Sequence, residues 1–212
     1  MNKPVIVIGA GGHAKVLVDA LLAGNVDLIG ITDNDPAKVG DRLLGVTVLG
    51  SDDVLANYPP NVADLVLGVG SVRVSEIRQK IFAHFKMAGY QFRTIVHPSA
   101  VIAREVVLGE GCQVMAGAII QAGSHLGENI LVNTRASIDH DCRIGDHVHL
   151  GPGTTLCANV SIGEGCHVGS GATITQGIRL GRNVQVGAGA LILRNCEDTT
   201  CHLGVPGEEQ AK

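Results

Sequence analysis

A histidine between two aspartates, Asp139-His140-Asp141, is the part of this sequence whose residue types and spacing could carry out acid–base chemistry. An imidazole can accept a proton near neutral pH, and a carboxylate beside it can orient the ring and stabilise its cationic form. An amine that attacks a carbonyl must lose a proton, since by analogy with lysine it is mostly an ammonium ion at neutral pH. We therefore predict that His140 is a general base with Asp141 as its orienting acid. Asp139 is the alternative acid, and a solvated corner without chemistry is the alternative to a catalytic site.

A glycine-rich turn near the N-terminus is the second candidate. The run Gly9-Ala10-Gly11-Gly12-His13-Ala14 matches the pattern G-x-G-x-x-A, and Asp33 follows at the distance at which an acid can bind a ribose hydroxyl. Unhindered backbone N–H groups at a helix N-terminus favour a ligand that bears phosphate. Only residues 1–94 are available to hold it, enough for one mononucleotide-sized half, so we predict a nucleotide-linked sugar in preference to NAD. A tight turn that binds nothing is the alternative.

A six-residue repeat positions the histidine. From Ile95 to Cys196 the sequence divides into seventeen hexads, and the second place of every hexad is Val, Ile or Leu. Such a period is typical of a parallel β-helix, in which each hexad forms one short strand and one corner. Because side chains alternate along a strand, the second and sixth places are predicted to point inward and the first place outward. Three hexads close a triangular coil, so residues 18 apart should stack, and His140 falls at a corner.

The other histidines of the repeat occupy outward places or corners. His149 and His167 are 18 residues apart and should form one column. We predict that His125, His147 and His167 are solvated. Zinc needs three or four converging ligands, whereas an outward column supplies two. We therefore predict no metal site.

The residues before the repeat alternate between strand and helix patterns. The predicted elements are strands Val5–Ile8, Leu28–Thr32 and Asp64–Val69 and helices Lys15–Ala23 and Val74–Phe85. This alternation predicts a small parallel sheet with a ligand crevice at its strand ends. The predicted fold class is therefore an α/β N-terminal domain with a small parallel Rossmann-like sheet, followed by an all-β parallel β-helix. The predicted divisions of the chain are 1–94, 95–196 and a C-terminal cap or tail at 197–212.

Composition narrows the possible partners and locations. A net charge of −4 and a pI near 6.1 argue against a nucleic-acid-binding face, and two Tyr, three Phe and no Trp leave few platforms for base stacking. The chain has no run of 18 apolar residues and no signal-type N-terminus, so we predict a cytoplasmic protein without membrane association. Four of the six cysteines fall at sixth places, where they are predicted to pack inside the coil as small hydrophobes.

Four motifs in combination resemble those of one known family over the whole chain. They are VIGAGGHAKV near the N-terminus, HPSAVI at the start of the repeat, SIDHDCRIGDHVHLGPG within it and LGVPG near the C-terminus. They are similar to those of the sialic-acid-pathway acetyltransferase-like family, which includes nucleotide-sugar N-acetyltransferases of the bacillosamine and perosamine type. The hexad repeat alone also occurs in other acyltransferases and in some carbonic anhydrases. The specificity of the resemblance comes from GAGGH together with DHDC.

This resemblance implies a left-handed β-helix that assembles as a homotrimer, with acetyl-CoA bound in the groove between neighbouring prisms. A nucleotide-linked amino sugar would sit on the N-terminal domain and reach toward that groove. Within the repeat, the resemblance assigns the general base to His140, its acidic partner to Asp141 and contact with the acetyl thioester to His149. It also implies that the backbone N–H of Ala158 holds the oxyanion of the tetrahedral intermediate.

The resemblance also implies residues for the two ligands. Acetyl-CoA would run past Ser170 and Ala188, one coil apart, where small side chains leave room for the pantetheine. The nucleotide-sugar residues would be Gly11, Gly12 and His13 at the diphosphate, Asp33 and Asn34 at the base or ribose, and Gly70 in the same crevice. Close relatives often have two acids where this chain has Asp33-Asn34, so the sequence does not identify the base.

The predicted function is that of an acetyl-CoA-dependent N-acetyltransferase. Its acceptor would be the 4-amino group of a nucleotide-linked amino-deoxysugar, which attacks the thioester directly. One alternative is a sugar O-acetyltransferase of the sialic-acid type, because a hydroxyl nucleophile needs the same histidine. A second alternative is a non-catalytic nucleotide-sugar-binding scaffold, which would not bind CoA. A carbonic anhydrase is disfavoured because its metal ligands are not assembled in this sequence.

Overall fold

The N-terminal apolar runs form a five-stranded sheet whose central strands are buried on both faces. In the computed structural model, which describes residues 3–204, the sheet has the order β3-β4-β2-β1-β5. Its strands are β1 (Val5–Ile8), β2 (Leu28–Thr32), β3 (Arg42–Leu43), β4 (Val46–Gly50) and β5 (Asp64–Leu67). All neighbours are parallel except β3, which pairs with β4 in the antiparallel direction. The small parallel sheet predicted from the sequence is therefore confirmed.

One α-helix and two short 3₁₀-helices connect these strands, and a second α-helix follows β5. They are α1 (Gly12–Ala23), α2 (Ile77–Met87) and the 3₁₀-helices Pro36–Lys38 and Asp52–Asn57. Helix α1 begins within the glycine turn and not at Lys15, so the turn leads directly into a helix N-terminus. Helix α2 starts later than the predicted Val74, because the residues after β5 form a loop that extends to the β-helix.

The hairpin of β3 and β4 is an element that the sequence interpretation missed. Leu43 pairs with Val46, which leaves Leu44 and Gly45 as a two-residue loop, and both have positive φ angles of 50° and 87°. Two positive φ angles define the turn type that matches the twist of a hairpin, and Asn-Gly is its usual sequence signal. Here a leucine occupies the first of these positions, so the signal was absent.

The hexad repeat folds as a left-handed parallel β-helix, as predicted. Its strands are β6 (Ile95–Val96), β7 (Val101–Ile102), β8 (Val107–Leu108), β9 (Gln113–Val114), β10 (Ile119–Ile120), β11 (His125–Leu126), β12 (Leu131–Val132), β13 (Ser137–Ile138), β14 (Arg143–Ile144), β15 (His149–Leu150), β16 (Thr155–Leu156), β17 (Ser161–Ile162), β18 (His167–Val168), β19 (Thr173–Ile174), β20 (Arg179–Leu180), β21 (Gln185–Val186), β22 (Leu191–Ile192) and β23 (Cys201–His202). Each strand pairs in parallel with the strand three places further along the chain, one coil away, so the β-helix is a three-sided prism.

We name the three sides of the prism by their strands. Face 1 contains β6, β9, β12, β15, β18, β21 and β23, face 2 contains β7, β10, β13, β16, β19 and β22, and face 3 contains β8, β11, β14, β17 and β20. Corner 2–3, between faces 2 and 3, carries residues 139–142 and 157–160. Corner 1–2 carries 151–154, 169–172 and 187–190, and corner 3–1 carries 127–130 and 145–148.

The interior of the prism is built from the second and sixth places of the hexads, as the repeat predicts. These side chains form one continuous core from Cys112 to Cys196, and the four cysteines at sixth places are all free and buried within it. Val96 is an exception: it was predicted to point inward, but it is 39% exposed because no coil lies beneath the first one. At the other end, β23 pairs with β21 beyond the last hexad, through a coil shorter than 18 residues.

Face 1 corrects the prediction that His167 is solvated. The N-terminal sheet packs against this face, and Leu131 joins residues of β1 and α1 in a shared core. His167 was predicted to be solvated, but it is buried together with His149, with ring centroids 4.7 Å apart. His147, at corner 3–1, was also predicted to be solvated, but it is half-buried with its ring against Phe82. The period of the repeat identifies outward places but not the face that the N-terminal sheet covers.

The structure describes part of the predicted C-terminal segment. Residues 197–204 continue the prism, whereas 205–212, with the last three residues of the LGVPG motif, lie outside the described residues. In residues 3–204, neither helix is long and apolar enough to cross a bilayer. The divisions at 94 and 196 stay predictions.

Candidate functional site

His140 lies at corner 2–3 with one ring nitrogen held by a carboxylate. Its Nδ1 is 2.7 Å from Oδ2 of Asp141, whereas Asp139 accepts a hydrogen bond of 2.7 Å from the backbone N–H of His140. Asp141 is therefore the acid that orients the ring, a question that the sequence left open. The hydrogen bond to Asp141 raises the pKa of His140, and the nearby charges of Asp139 and Asp141 add to this effect. In the neutral ring Nδ1–H donates to Asp141, so Nε2 offers its lone pair to solvent.

A glycine one coil below makes room for this carboxylate. Asp141 has φ +59°, and Gly123 beneath it has φ +73°. A Cβ atom at Gly123 would lie 2.6 Å from Oδ1 of Asp141. A side chain at this position would displace the carboxylate from His140. Gly123 therefore supports the pair without touching the ring.

Ala158 stacks one coil above His140, as the 18-residue spacing predicts. The carbonyl of His140 accepts a hydrogen bond from Asn159 N–H, and the carbonyl of Ala158 accepts one from Gly177 N–H. Within residues 3–204 the N–H of Ala158 donates no hydrogen bond. Corner 2–3 thus offers an imidazole and a free backbone N–H on adjacent coils, the kinds of group that can serve as base and oxyanion donor in acyl transfer.

His149 lies on face 1 with both ring nitrogens in contact with polar groups. Its Nδ1 is 2.9 Å from Ser71 Oγ, and its Nε2 is 3.4 Å from Asn133 Nδ2. The amide oxygen of Asn133 accepts from the N–H of Thr134, so the Asn133 amide nitrogen faces the ring as a donor. His149 therefore carries its proton on Nδ1. Burial, with smaller contributions from His167 and Arg78, lowers the pKa of His149 to about 3, so the ring is neutral at physiological pH.

A groove of about 420 Å³ runs along corner 1–2 beside this histidine. Ser170 and Ala188 line it one coil apart, as predicted for a pantetheine path. Ser71 and Val72, from the loop after β5, form the opposite wall of the groove. The loop is attached to the prism because Gln185 accepts a hydrogen bond from Val74 N–H.

A second cavity, of about 660 Å³, lies at the carboxyl ends of β1, β2 and β5. This is where a parallel sheet binds ligands. Of the predicted nucleotide-sugar residues, five line it: Gly11, Gly12, His13, Asp33 and Gly70. Helix α1 starts here with no side chain capping its first N–H groups. Asn34 is not among the lining residues, because its amide pairs with Asp52.

Two of the charged groups that line this cavity, Asp33 and Lys38, form an ion pair. Asp33 accepts hydrogen bonds from Ala10 N–H and Asp35 N–H and contacts Lys38 Nζ at 2.9 Å. Burial opposes ionisation of Asp33, but these backbone hydrogen bonds and the Lys38 ammonium outweigh it and lower the pKa of the carboxyl. The charge of Lys38 is therefore neutralised by Asp33.

His13 is held in the cavity wall as a neutral ring. Its Nε2 is 2.8 Å from Oε1 of Gln113, and the amide nitrogen of Gln113 donates to the carbonyl of Leu67 at 2.7 Å. This arrangement makes Nε2 the donor and leaves Nδ1 as an acceptor. Burial, together with the charge of Arg78, lowers the pKa of His13 to about 4. His13 therefore contributes no positive charge at neutral pH.

The predicted site residues fall into two groups on one protomer. His140, Asp141 and Ala158 lie at corner 2–3, whereas the groove and the nucleotide cavity lie on face 1 and corner 1–2. The groups are separated by the width of face 2, at most about 20 Å for a six-residue side. The groove and the cavity share a wall formed by Ser71, Val72, Asn133 and His149.

Several of these residues were missed by the sequence interpretation. Ser71, Asn133 and Gln113 carry no motif, although Ser71 directly follows the predicted Gly70. No group of three or more metal-ligating side chains occurs in the described part of the chain. A wide basin of about 790 Å³ on face 3, under Arg143 and Arg179, contains none of the predicted residues.

Comparison with known proteins agrees with this geometry. The family model of the PglD N-terminal domain matches residues 4–85, and two hexapeptide-repeat models match 141–176 and 159–194. The structure of PerB from Caulobacter crescentus, in complex with CoA and GDP-perosamine, is 38% identical, with a TM-score of 0.87 over 98% of this chain and 97% of that chain. The chain belongs to the PglD-type acetyltransferase family. The resemblance predicted from the sequence is therefore confirmed.

Two further relatives agree with this assignment. The acetyltransferase domain of PglB from Neisseria gonorrhoeae FA1090, in complex with acetyl coenzyme A, is 34% identical, with a TM-score of 0.88 over 99% of this chain and 100% of that chain. The UDP-N-acetylbacillosamine N-acetyltransferase of Bacillus subtilis (strain 168) is 34% identical over 120 residues. That alignment spans about half of each protein, 54% of this chain and 52% of the relative.

Proposed function

We propose that this protein is an acetyl-CoA-dependent N-acetyltransferase whose acceptor is the 4-amino group of a nucleotide-linked amino-deoxysugar. The observation that carries the proposal is the pairing of His140 with Asp141 beside the free N–H of Ala158. The two cavities that share a wall supply room for two substrates. The relatives bound to CoA, acetyl coenzyme A and GDP-perosamine support this choice of substrates.

The site becomes complete between two protomers of a homotrimer. The outward residues of face 2 are apolar or small and uncharged: Val101, Ile119, Ser137, Thr155, Thr173 and Leu191. Val101 and Leu191 are 55% and 59% exposed in the single chain. Three copies that packed face 2 around a three-fold axis would cover these residues and bring corner 2–3 of each copy beside corner 1–2 of its neighbour. His140 would then face the groove that Ser170 and Ala188 line.

The reaction follows from these positions. The sugar amine attacks the thioester carbonyl while Nε2 of His140 takes a proton from the nitrogen, and the Asp141 carboxylate stabilises the imidazolium that forms. The N–H of Ala158 donates to the oxyanion of the tetrahedral intermediate. Collapse breaks the carbon–sulfur bond, and the proton on His140 passes to the departing thiolate. The products are the amide and CoA, without an acyl-enzyme.

The test is acetyl transfer to UDP-, GDP- and dTDP-linked 4-amino sugars and to the matched hydroxy sugars. We expect transfer to an amino sugar and a loss of turnover of about 10²–10⁴-fold in His140→Ala, with His125→Ala on exposed face 3 as the matched control. Transfer to the hydroxy sugar alone would identify an O-acetyltransferase. A protein that binds no CoA in titration calorimetry would be a scaffold, and wild-type turnover in His140→Ala would refute the assigned base.

A further inference from the structure

Arg78 of helix α2 is a buried cation without a carboxylate partner. Arg78 is 5% exposed. Its guanidinium donates hydrogen bonds to the carbonyl of Val69 and, at 2.9 Å, to Oδ1 of Asn129. No ion pair in residues 3–204 includes Arg78. Burial lowers the pKa of its guanidinium to about 10, so it stays charged at neutral pH. A buried charge that is balanced only by neutral acceptors is costly.

The neighbours of Arg78 connect it to the wall of the nucleotide cavity. The carbonyl of Leu67 lies 3.5 Å from the guanidinium and also accepts the Gln113 amide, which in turn holds His13. Val69, the other carbonyl that binds Arg78, lines the cavity directly. The charge of Arg78 lowers the pKa values of both His13 and His149 in that wall. The guanidinium therefore acts across the wall without entering the cavity.

The remaining groups around Arg78 do not balance its charge. Gln113 and Asn129 are neutral amides, and His13 and His149 are neutral rings. Burial lowers the pKa of half-buried His147, and the charge of Asp146 opposes this. Asp146 lies at corner 3–1, as does Asn129, but it forms no ion pair with Arg78. On the cavity side, Lys38 is paired with Asp33, and Arg73 is exposed to solvent that screens its charge. An anion in the cavity would be the missing partner.

We infer that Arg78 is a positioning residue whose buried charge selects the diphosphate of the ligand in the cavity at the glycine turn. The inference rests on the proposed function, because it assigns the phosphate-bearing end of that substrate. The uncapped N–H groups of α1 receive the diphosphate from one side, and Arg78 stabilises its charge through the wall formed by Val69 and Gly70. The hydrogen bonds from Arg78 to the carbonyls of Leu67, the last residue of β5, and Val69 also fix the shape of this wall.

The experiment measures binding of inorganic pyrophosphate by titration calorimetry to the wild type, Arg78→Lys and Arg78→Gln. A unit charge that acts over about 8 Å at an effective dielectric of about 20 changes the affinity for an anion by roughly tenfold or more. We expect Arg78→Gln to weaken binding by at least that factor and Arg78→Lys to retain most of the affinity. Arg42→Gln, on the exposed edge strand β3, removes the same net charge and should bind like the wild type.

A structural role alone predicts a different pattern, since neither lysine nor glutamine reproduces the guanidinium contacts. Equal weakening in both variants, or wild-type binding in Arg78→Gln, would overturn the inference. If Arg78→Gln does not fold, the affinity of Arg78→Lys for pyrophosphate is compared with that of the wild type. A tenfold loss of affinity in Arg78→Lys, which keeps the positive charge, would contradict the inference. Proton NMR titration of His13 supplies an independent readout, and its pKa should rise when the charge is removed.

Failure of the inference is distinguishable from failure of the proposed function. A wild type that transfers acetyl groups to a nucleotide-linked sugar but binds pyrophosphate without dependence on Arg78 contradicts the inference alone. A wild type that transfers no acetyl group refutes the proposed function, whatever the behaviour of Arg78→Gln.

Discussion

Two inactive variants of this protein should restore activity when they assemble together. One variant is His140→Ala, which removes the base from corner 2–3. The other is Ala188→Trp, which fills the groove at corner 1–2. Ala188 is exposed in the single chain, so the indole replaces solvent and does not disturb the core of the prism. Each variant alone should lose acetyl transfer, because every shared site lacks one of its two halves.

The size of the recovery follows from the geometry of the shared site. In the proposed homotrimer, each site takes corner 2–3 from one protomer and corner 1–2 from the next. In trimers assembled at random from equal amounts, half of the protomers keep His140 and the other half keep an open groove. A site is intact when these two meet in the correct order, which happens in about a quarter of the sites. Every trimer that contains both variants has one such site among its three, so the expected activity of purified mixed trimers is about a third of the wild-type value per site.

The assay is acetyl transfer by the co-expressed pair, purified through two different affinity tags so that only mixed trimers are measured. Light scattering establishes that each variant and the mixture have the mass of a trimer. A simple mixture of the two purified variants is the control, and it should stay inactive until subunits exchange. Mixed trimers without activity would refute the arrangement of the site between protomers, and so would a monomeric wild type.

Three further predictions concern single side chains. In Asp141→Asn the pKa of His140 should fall, because the Asp141 carboxylate is what raises it. Since protonation of the base lowers kcat/KM on acidification, that decrease should move to lower pH in the variant. An unchanged pH profile of kcat/KM would contradict the pairing of His140 with Asp141. Gly123→Ala should reduce turnover toward that of Asp141→Asn, whereas Gly177→Ala, with the same φ of +73° but open space around it, should keep its activity. Leu131→Ala should lower the free energy of unfolding by about 2–5 kcal/mol, measured by urea denaturation, because Leu131 joins face 1 to the N-terminal sheet. Val107→Ala on exposed face 3 should change it by less than about 0.5 kcal/mol.

The structure of the repeat could be predicted in detail because every hexad has the same pattern of inward apolar side chains. An inward Val, Ile or Leu at every second place fixes the strands, and the 18-residue coil places Ala158 above His140. The strands β1 and β2 were predicted with their observed bounds, because short apolar runs between turn residues are a local signal. The hairpin of β3 and β4 was missed because its turn uses leucine where the local signal requires asparagine or glycine.

The contacts between the sheet and the prism could not be predicted from such local patterns. Burial of His167 depends on which face the N-terminal sheet covers, and the hexad period is the same on all three faces. The contacts of Gln113 with His13 and of Ser71 with His149 join residues that are far apart in the sequence. Whether Asp139 or Asp141 orients His140 depended on the side-chain positions at the corner, where Asp139 accepts a hydrogen bond from the backbone N–H of His140 and Asp141 meets the ring.

The distribution of charge in the two halves of the proposed site is consistent with their lying on different parts of the prism. The walls of the nucleotide cavity and the groove hold His13 and His149 neutral through burial and the charge of Arg78. A base placed there would be neutral, but with a pKa of about 3 or 4 it would be a weak acceptor of the proton that the attacking amine loses. His140 lies at an exposed corner where Asp141 raises its pKa. Assembly into the proposed homotrimer would therefore bring an imidazole of higher pKa to a cavity suited to anions, which a histidine buried beside Arg78 could not supply.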